Sequence, residues 1–149
     1  MRGMGGLRGA DAVGLWATGR RRQFDFRGSG AAVTVGDKQR LFAKLLPHLL
    51  EKAQELHPGA VAVGEVERSK AACEWNAAHG LGIVNSLHRL GLAVDLKLFR
   101  LVDGRWIYLT MTEDYRSLGE WWEALDELCC WGGRFSDGGH FSLTHEGVR

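Results

Sequence analysis

The chain has 149 residues, enough for one domain with a real core. Nineteen Lys and Arg stand against 18 Asp and Glu. This near balance gives no electrostatic case for nucleic acid as a partner. Three cysteines, two of them adjacent, make a poor disulfide framework and suit a reducing compartment, with buried free thiols expected.

Charge is uneven along the chain. Residues 1–30 carry six arginines and two acids, a net +4, which leaves −3 for the rest. Eight of the 21 glycines also fall there, and the apolar residues keep no period. Such a segment buries too little surface to offset its ordering entropy, so residues 1–34 read as a basic, solvated arm without a fold of its own. Arg20-Arg21-Arg22 could touch an anionic envelope. No apolar run approaches the roughly 20 residues that a bilayer span needs, and no secretory signal is expected. The chain reads as a cytosolic protein and a monomer, and if it acts outside the cytoplasm, something else must let it out.

Residues 35–149 read as the working domain. Asp37 is a plausible N-cap for a helix whose apolar stripe runs through Leu41, Phe42, Leu45, Leu46, Leu49, Leu50, Ala53 and Leu56. Pro47 predicts a kink or a break in it, and His57-Pro58-Gly59 its end. Residues 60–66 read as a buried strand. Ser69 caps a short helix to about Ala78, with Cys73 and Trp75 available for packing. A glycine-rich loop over 79–87 leads into a strand from Leu92 to Phe99 that carries Asp95. Asp103-Gly104 is a strong hairpin signal before a strand over 106–109. A second substantial helix is expected from Thr112 to about Leu128, with Trp121, Trp122, Leu125 and Leu128 on its buried face. Short strand-like pieces at 131–135 and 141–143 complete an α+β domain.

Two histidines and an aspartate, His88, Asp95 and His140, make an open metal site, because three protein ligands and a vacant position are the pattern of a catalytic zinc. His88 and Asp95 are seven apart, the wrong parity for one face of a straight strand. They converge if His88 sits on a loop before the strand and Gly91 bends the chain. Asp137, three residues before His140, could serve as a base toward water, and the two glycines between them permit a tight turn. Arg68 is the candidate cation for a developing oxyanion or a substrate carboxylate. Two histidines and a carboxylate also describe a non-heme iron triad, although the spacing here is wide for one. His48, His57, His79 and His145 read as surface or satisfied core residues.

Ser86-x-His88-x-x-Gly91-x-Ala93-x-Asp95, with Trp131-Gly132-Gly133-Arg134-Phe135-x-Asp137-x-x-His140-Phe141, resembles the signature of zinc D-alanyl-D-alanine carboxypeptidases and phage L-alanyl-D-glutamate endopeptidases. The resemblance covers roughly residues 35–145. It implies a Hedgehog/DD-peptidase fold, an antiparallel sheet packed against helices, and peptidoglycan stem peptides as substrate. By it, His88, Asp95 and His140 are Zn2+ ligands and Asp137 is the catalytic acid/base. Arg68 helps bind substrate and stabilise charge, and Ser86 lines the site. Ser69 stands where relatives usually carry Thr, and the expected aromatic residue before Arg68 is missing. The favoured expectation is an endolysin that waits in the host cytoplasm and acts on the wall after release. A D,D-carboxypeptidase or dipeptidase and a non-catalytic zinc-containing wall-binding module are the alternatives. Without an appended wall-binding module, affinity must come from the catalytic groove, with Trp106, Tyr115, Trp121 and Trp122 available to line it.

Overall fold

A computed structural model describes residues 32–149. The basic arm expected over 1–34 therefore lies, apart from its last three residues, outside the described residues. The chain folds as α1 (Val35–Leu56), β1 (Val61–Val63), α2 (Lys70–Ala78), β2 (Ala93–Val102), β3 (Arg105–Tyr108), α3 (Arg116–Leu125), β4 (Cys129–Trp131) and β5 (His140–Leu143). All strand pairs are antiparallel, in the order β1-β2-β5-β4, with β3 paired to the far half of β2. The α+β class expected from the sequence is the class observed.

Helix α1 forms where its stripe demands, and Leu41, Phe42, Leu45, Leu49 and Ala53 are buried. Its start differs from expectation. Thr34 is the N-cap, and Asp37 is the third helical residue, whose carboxylate reaches back to the Thr34 backbone N–H at 2.8 Å. This is a capping box with Asp in the place where Glu or Gln is usual. Nor does Pro47 break the helix, which runs through it without interruption. Both Pro47 and Ala43, whose carbonyl loses its donor to the proline, are exposed, so water can take that carbonyl.

β1 is shorter and less buried than the apolar run suggested. It is an edge strand with one neighbour, and Val63 is exposed. Beyond it the pairing continues through Gly64 N–H to the Asp95 carbonyl (2.6 Å) and Asp95 N–H to the Glu65 carbonyl (2.8 Å). Ser69 caps α2 as expected, through the Ala72 N–H. Cys73 is buried there, whereas Trp75 is exposed and stacks on His79. All three cysteines are free and buried.

The second long helix also departs from expectation. Thr112–Tyr115 is a 3-10 turn, α3 begins at Arg116, and it stops at Leu125. Asp126 ends it by taking extended backbone and accepting the Leu128 N–H on its own carboxylate at 2.9 Å, a local turn that competes with the helix. Trp122 is fully buried, with Phe42 and Phe141 edge-on to it. The piece expected as a strand over 131–135 splits, with β4 ending at Trp131 and a 3-10 turn over Gly132–Phe135.

Two devices hold the centre of the sheet. Beside β2, between β3 and β5, the Tyr115 hydroxyl accepts the Leu98 N–H (3.1 Å) and donates to the Leu109 carbonyl (3.0 Å), a side-chain link in the ladder. Burial pushes the phenol up to about 12, so it keeps the proton it donates. The Trp131 indole lies between Gly119 and Gly133, where an added Cβ would come within 2.0 and 2.2 Å of its ring. Its N–H donates to the Gly138 carbonyl at 2.8 Å. That bond ties the packed centre of the fold to the loop before His140.

Candidate metal centre

Three backbone features bring the centre together. Asp95 on β2 and His140 at the start of β5 are register partners across an antiparallel pair. Directly opposed residues have Cβ atoms only about 5 Å apart, so the two side chains meet without any loop rearrangement. His88 arrives from a 3-10 turn, Leu87–Leu90, and Gly91 follows with φ 63°, a left-handed conformation that lets the chain reverse into β2. The bend expected at Gly91 is therefore the means by which a residue of the wrong parity reaches Asp95.

The result is a nearly equilateral triangle of ligand atoms. His88 Nε2 is 3.2 Å from His140 Nδ1 and 3.2 Å from Asp95 Oδ1, and His140 Nδ1 is 3.1 Å from the same oxygen. Four ligands held tetrahedrally at zinc distances lie about 3.3 Å apart, close to these edges. Among the described residues these three make a group able to hold a metal ion. His57, His79 and His145 lie outside it, as expected.

The chemistry of the donors also fits a cation. His88 Nδ1 faces the Val66 carbonyl at 3.3 Å, and since a carbonyl can only accept, Nδ1 carries the hydrogen. A neutral His88 then turns the bare lone pair of Nε2 toward a carboxylate oxygen. Two acceptors at 3.2 Å repel unless a proton or a metal ion comes between them. Burial opposes charge on His88, yet Asp95, the Val66 carbonyl and Glu65 outweigh it and raise the imidazole above its ordinary value. Burial likewise pushes the Asp95 carboxyl up, and His140 and His88 more than reverse this, holding it far below the usual carboxylate range.

The remaining sequence candidates surround this triangle. Ser86 and Arg68 line the same depression of about 600 Å³ as the three ligands. Ser86 is almost fully buried, whereas Asp137 is exposed on the rim. Asp137 also borders a second depression of about 390 Å³, so it stands with Asp95 where the two meet. A turn fixes the Asp137 backbone, which donates to the Gly132 carbonyl (3.0 Å) and accepts from the His140 N–H (3.3 Å). Ser136 before it is left-handed, at φ 65°.

Sequence reasoning gave two residues here no role in the site. Glu65 grips Arg68 with both carboxylate oxygens, the Nε contact being 2.8 Å and the second running from Nη2. That fork compensates the charge of Arg68 and fixes its plane. Gly132 is the other omission. A Cβ there would come within 2.5 Å of the Asp137 carbonyl and 2.7 Å of His140 Cβ. Glu65-x-x-Arg68 and the glycine pair were visible in the sequence, but nothing local says that they meet the metal triangle.

No protein-family model matches the sequence, and no curated protein matches it. Among solved structures, the crystal structure of the Serratia marcescens L-Ala D-Glu endopeptidase ChiX is similar over 74% of this chain and 86% of that one, at 23% identity and a TM-score of 0.52. The two share a fold. Among the described residues, no helix is long and apolar enough to cross a membrane.

Proposed function

We propose that this protein is a zinc peptidase that hydrolyses an amide bond in peptidoglycan stem peptides, acting as an L-alanyl-D-glutamate endopeptidase of the phage or prophage lysin kind. The observation that carries this reading is the convergence of His88 Nε2, His140 Nδ1 and Asp95 Oδ1 within 3.2 Å, with Asp137 on the rim beside them. The shared fold with an L-Ala D-Glu endopeptidase points the same way.

His88, Asp95 and His140 would hold the zinc. When bound, it supplies Lewis acidity, drawing the pKa of water toward about 7 and polarising an amide carbonyl. Asp137 takes the proton released from water on its free carboxylate and gives it to the leaving amine. Its exposure suits that task, because no hydrogen bond among the described residues ties the carboxylate down. Arg68 faces the oxygen that gains charge, and Ser86 lines the wall near His88.

One feature favours an endopeptidase over a carboxypeptidase. The groove extends to both sides of Asp95 and Asp137, as a bond inside a longer substrate requires. Mass spectrometry of products from purified peptidoglycan tests the assignment. New N-terminal D-Glu is expected. Free D-Ala would make the protein a carboxypeptidase, and stoichiometric zinc without any product would make it a binding module.

A further inference from the structure

The β2–β3 hairpin carries an exposed strip that begins at the metal centre. Alternate residues of a strand share a face, so Asp95, Lys97, Phe99 and Leu101 project together from β2. Tyr108 lies opposite Phe99 and Trp106 opposite Leu101, which places both on that same face of β3. The Phe99 and Tyr108 rings confirm it, with centroids 5.5 Å apart. Lys97 and Tyr108 also border the 390 Å³ depression together with Asp95 and Asp137. The strip is therefore continuous with the candidate site.

Its composition is unlike a core face. Leu101 is 55% exposed, Trp106 53% and Tyr108 48%. Exposed Tyr108, Trp106 and Leu101 run on from an ammonium (Lys97) and a hydroxyl (Thr110), so the strip is apolar along its length and polar at the end nearer the candidate site. Contiguous exposed apolar surface of this kind marks an interaction site. Flat rings with wet edges suit a partner whose own faces are apolar and whose rim bears hydroxyls. Sugar rings have that character.

Length supports the same partner. At roughly 3.3 Å per residue, Lys97 lies about 7 Å along the strand from Asp95, the Phe99–Tyr108 pair about 13 Å and the Leu101–Trp106 pair about 20 Å. One amino acid spans about 3.5 Å, so a glycan joined one residue from the scissile bond would pass Lys97 and reach Tyr108 and then Trp106. Resting on the peptidase reading above, we propose that this strip is a docking platform for the glycan strand of peptidoglycan, with Tyr108 and Trp106 stacking on successive sugar rings.

The test uses the full chain loaded with zinc and three probes, glycan strands stripped of their peptides, the free stem peptide and the glycan-linked peptide. Calorimetry is expected to detect binding of the stripped strands, weakened at least fivefold by Trp106→Ala and largely kept by Trp106→Phe. Trp75→Ala, at the other exposed tryptophan among the described residues, should leave that binding unchanged. Glycan-linked substrate should show a lower KM than free peptide, and Trp106→Ala should erase the difference. Equal glycan binding by wild type and Trp106→Ala would overturn the proposal, as would a dimer in sedimentation that occludes Trp106. Glycan binding without cleavage of either substrate would uphold the platform and sink the peptidase.

Discussion

His88, Asp95 and His140 and the groups around them are held by different means. His88 is buried with its ring fixed by a backbone carbonyl, while Asp95 and His140 are locked by sheet register. Asp137 stands exposed, its carboxylate without a hydrogen-bond partner among the described residues, and the Arg68 guanidinium is held by Glu65 while its backbone N–H donates to the His88 carbonyl at 3.3 Å. The backbone thus sets the whole triangle, whereas on the rim it anchors Asp137 and Arg68 and leaves the ends of their side chains to solvent or to a neighbour. A centre that binds one ion needs fixed geometry, whereas a rim that meets a substrate and moves a proton needs a group left unpaired.

The sharpest way to break that comparison is to remove one residue from each class. His88→Ala takes away a ligand, so metal analysis should find zinc falling from one equivalent to background, and hydrolysis should vanish with it. Asp137→Ala should keep the full equivalent of zinc and lose turnover by about 10²–10⁴-fold, the usual span for a general acid–base group. Zinc retained by His88→Ala would mean another ligand set. Unchanged turnover in Asp137→Ala would remove that residue from its role.

A second experiment separates the fold from the centre through two glycines. Gly119→Ala drives a methyl into the Trp131 indole, and Gly132→Ala drives one into the Asp137 carbonyl and His140. Both should destabilise the protein by at least about 1–3 kcal/mol, as overpacking does, read as a fall in the midpoint of denaturant unfolding. Only Gly132→Ala should also weaken zinc binding in the fraction that stays folded, because only its neighbours belong to the centre. Equal zinc affinity in the two variants would show that Gly132 merely fills space.

These contrasts also explain what was legible in the sequence. The α1 stripe could be read because burial follows a period of 3.6, and the Asp103-Gly104 turn because both residues must adopt positive φ (48° and 76°). His88, Asp95 and His140 stood out as residue types in a known pattern, and Gly91 explained how the first could reach the second. What could not be read depends on partners remote in sequence. The edge position of β1 left Val63 exposed although its apolar run looked buried. The end of α3 turned on the Asp126 carboxylate, and the survival of the helix at Pro47 on which face met water. Trp131 opens the second motif in the sequence, yet only the packed fold reveals Gly119 and Gly133 making room for it.

The smallest expected effect concerns pH, and it runs in opposite directions with and without metal. In the metal-free protein His88 is raised by Asp95, so folding favours the protonated ring. That contribution to stability is complete below the unfolded imidazole value of about 6.5 and is lost as pH rises through the higher folded value. Asp95, held far below the usual carboxylate range, stays ionised throughout this window and adds no slope of its own. Zinc needs the same nitrogen unprotonated, so protons compete with it and its affinity should climb as pH rises through that range. The increase in Tm on adding zinc is therefore expected to be larger at pH 8 than at pH 6, measured by calorimetry at fixed free zinc. An increment independent of pH would mean that the ion is not held by His88, and the lone pair that Val66 leaves facing Asp95 would need another purpose.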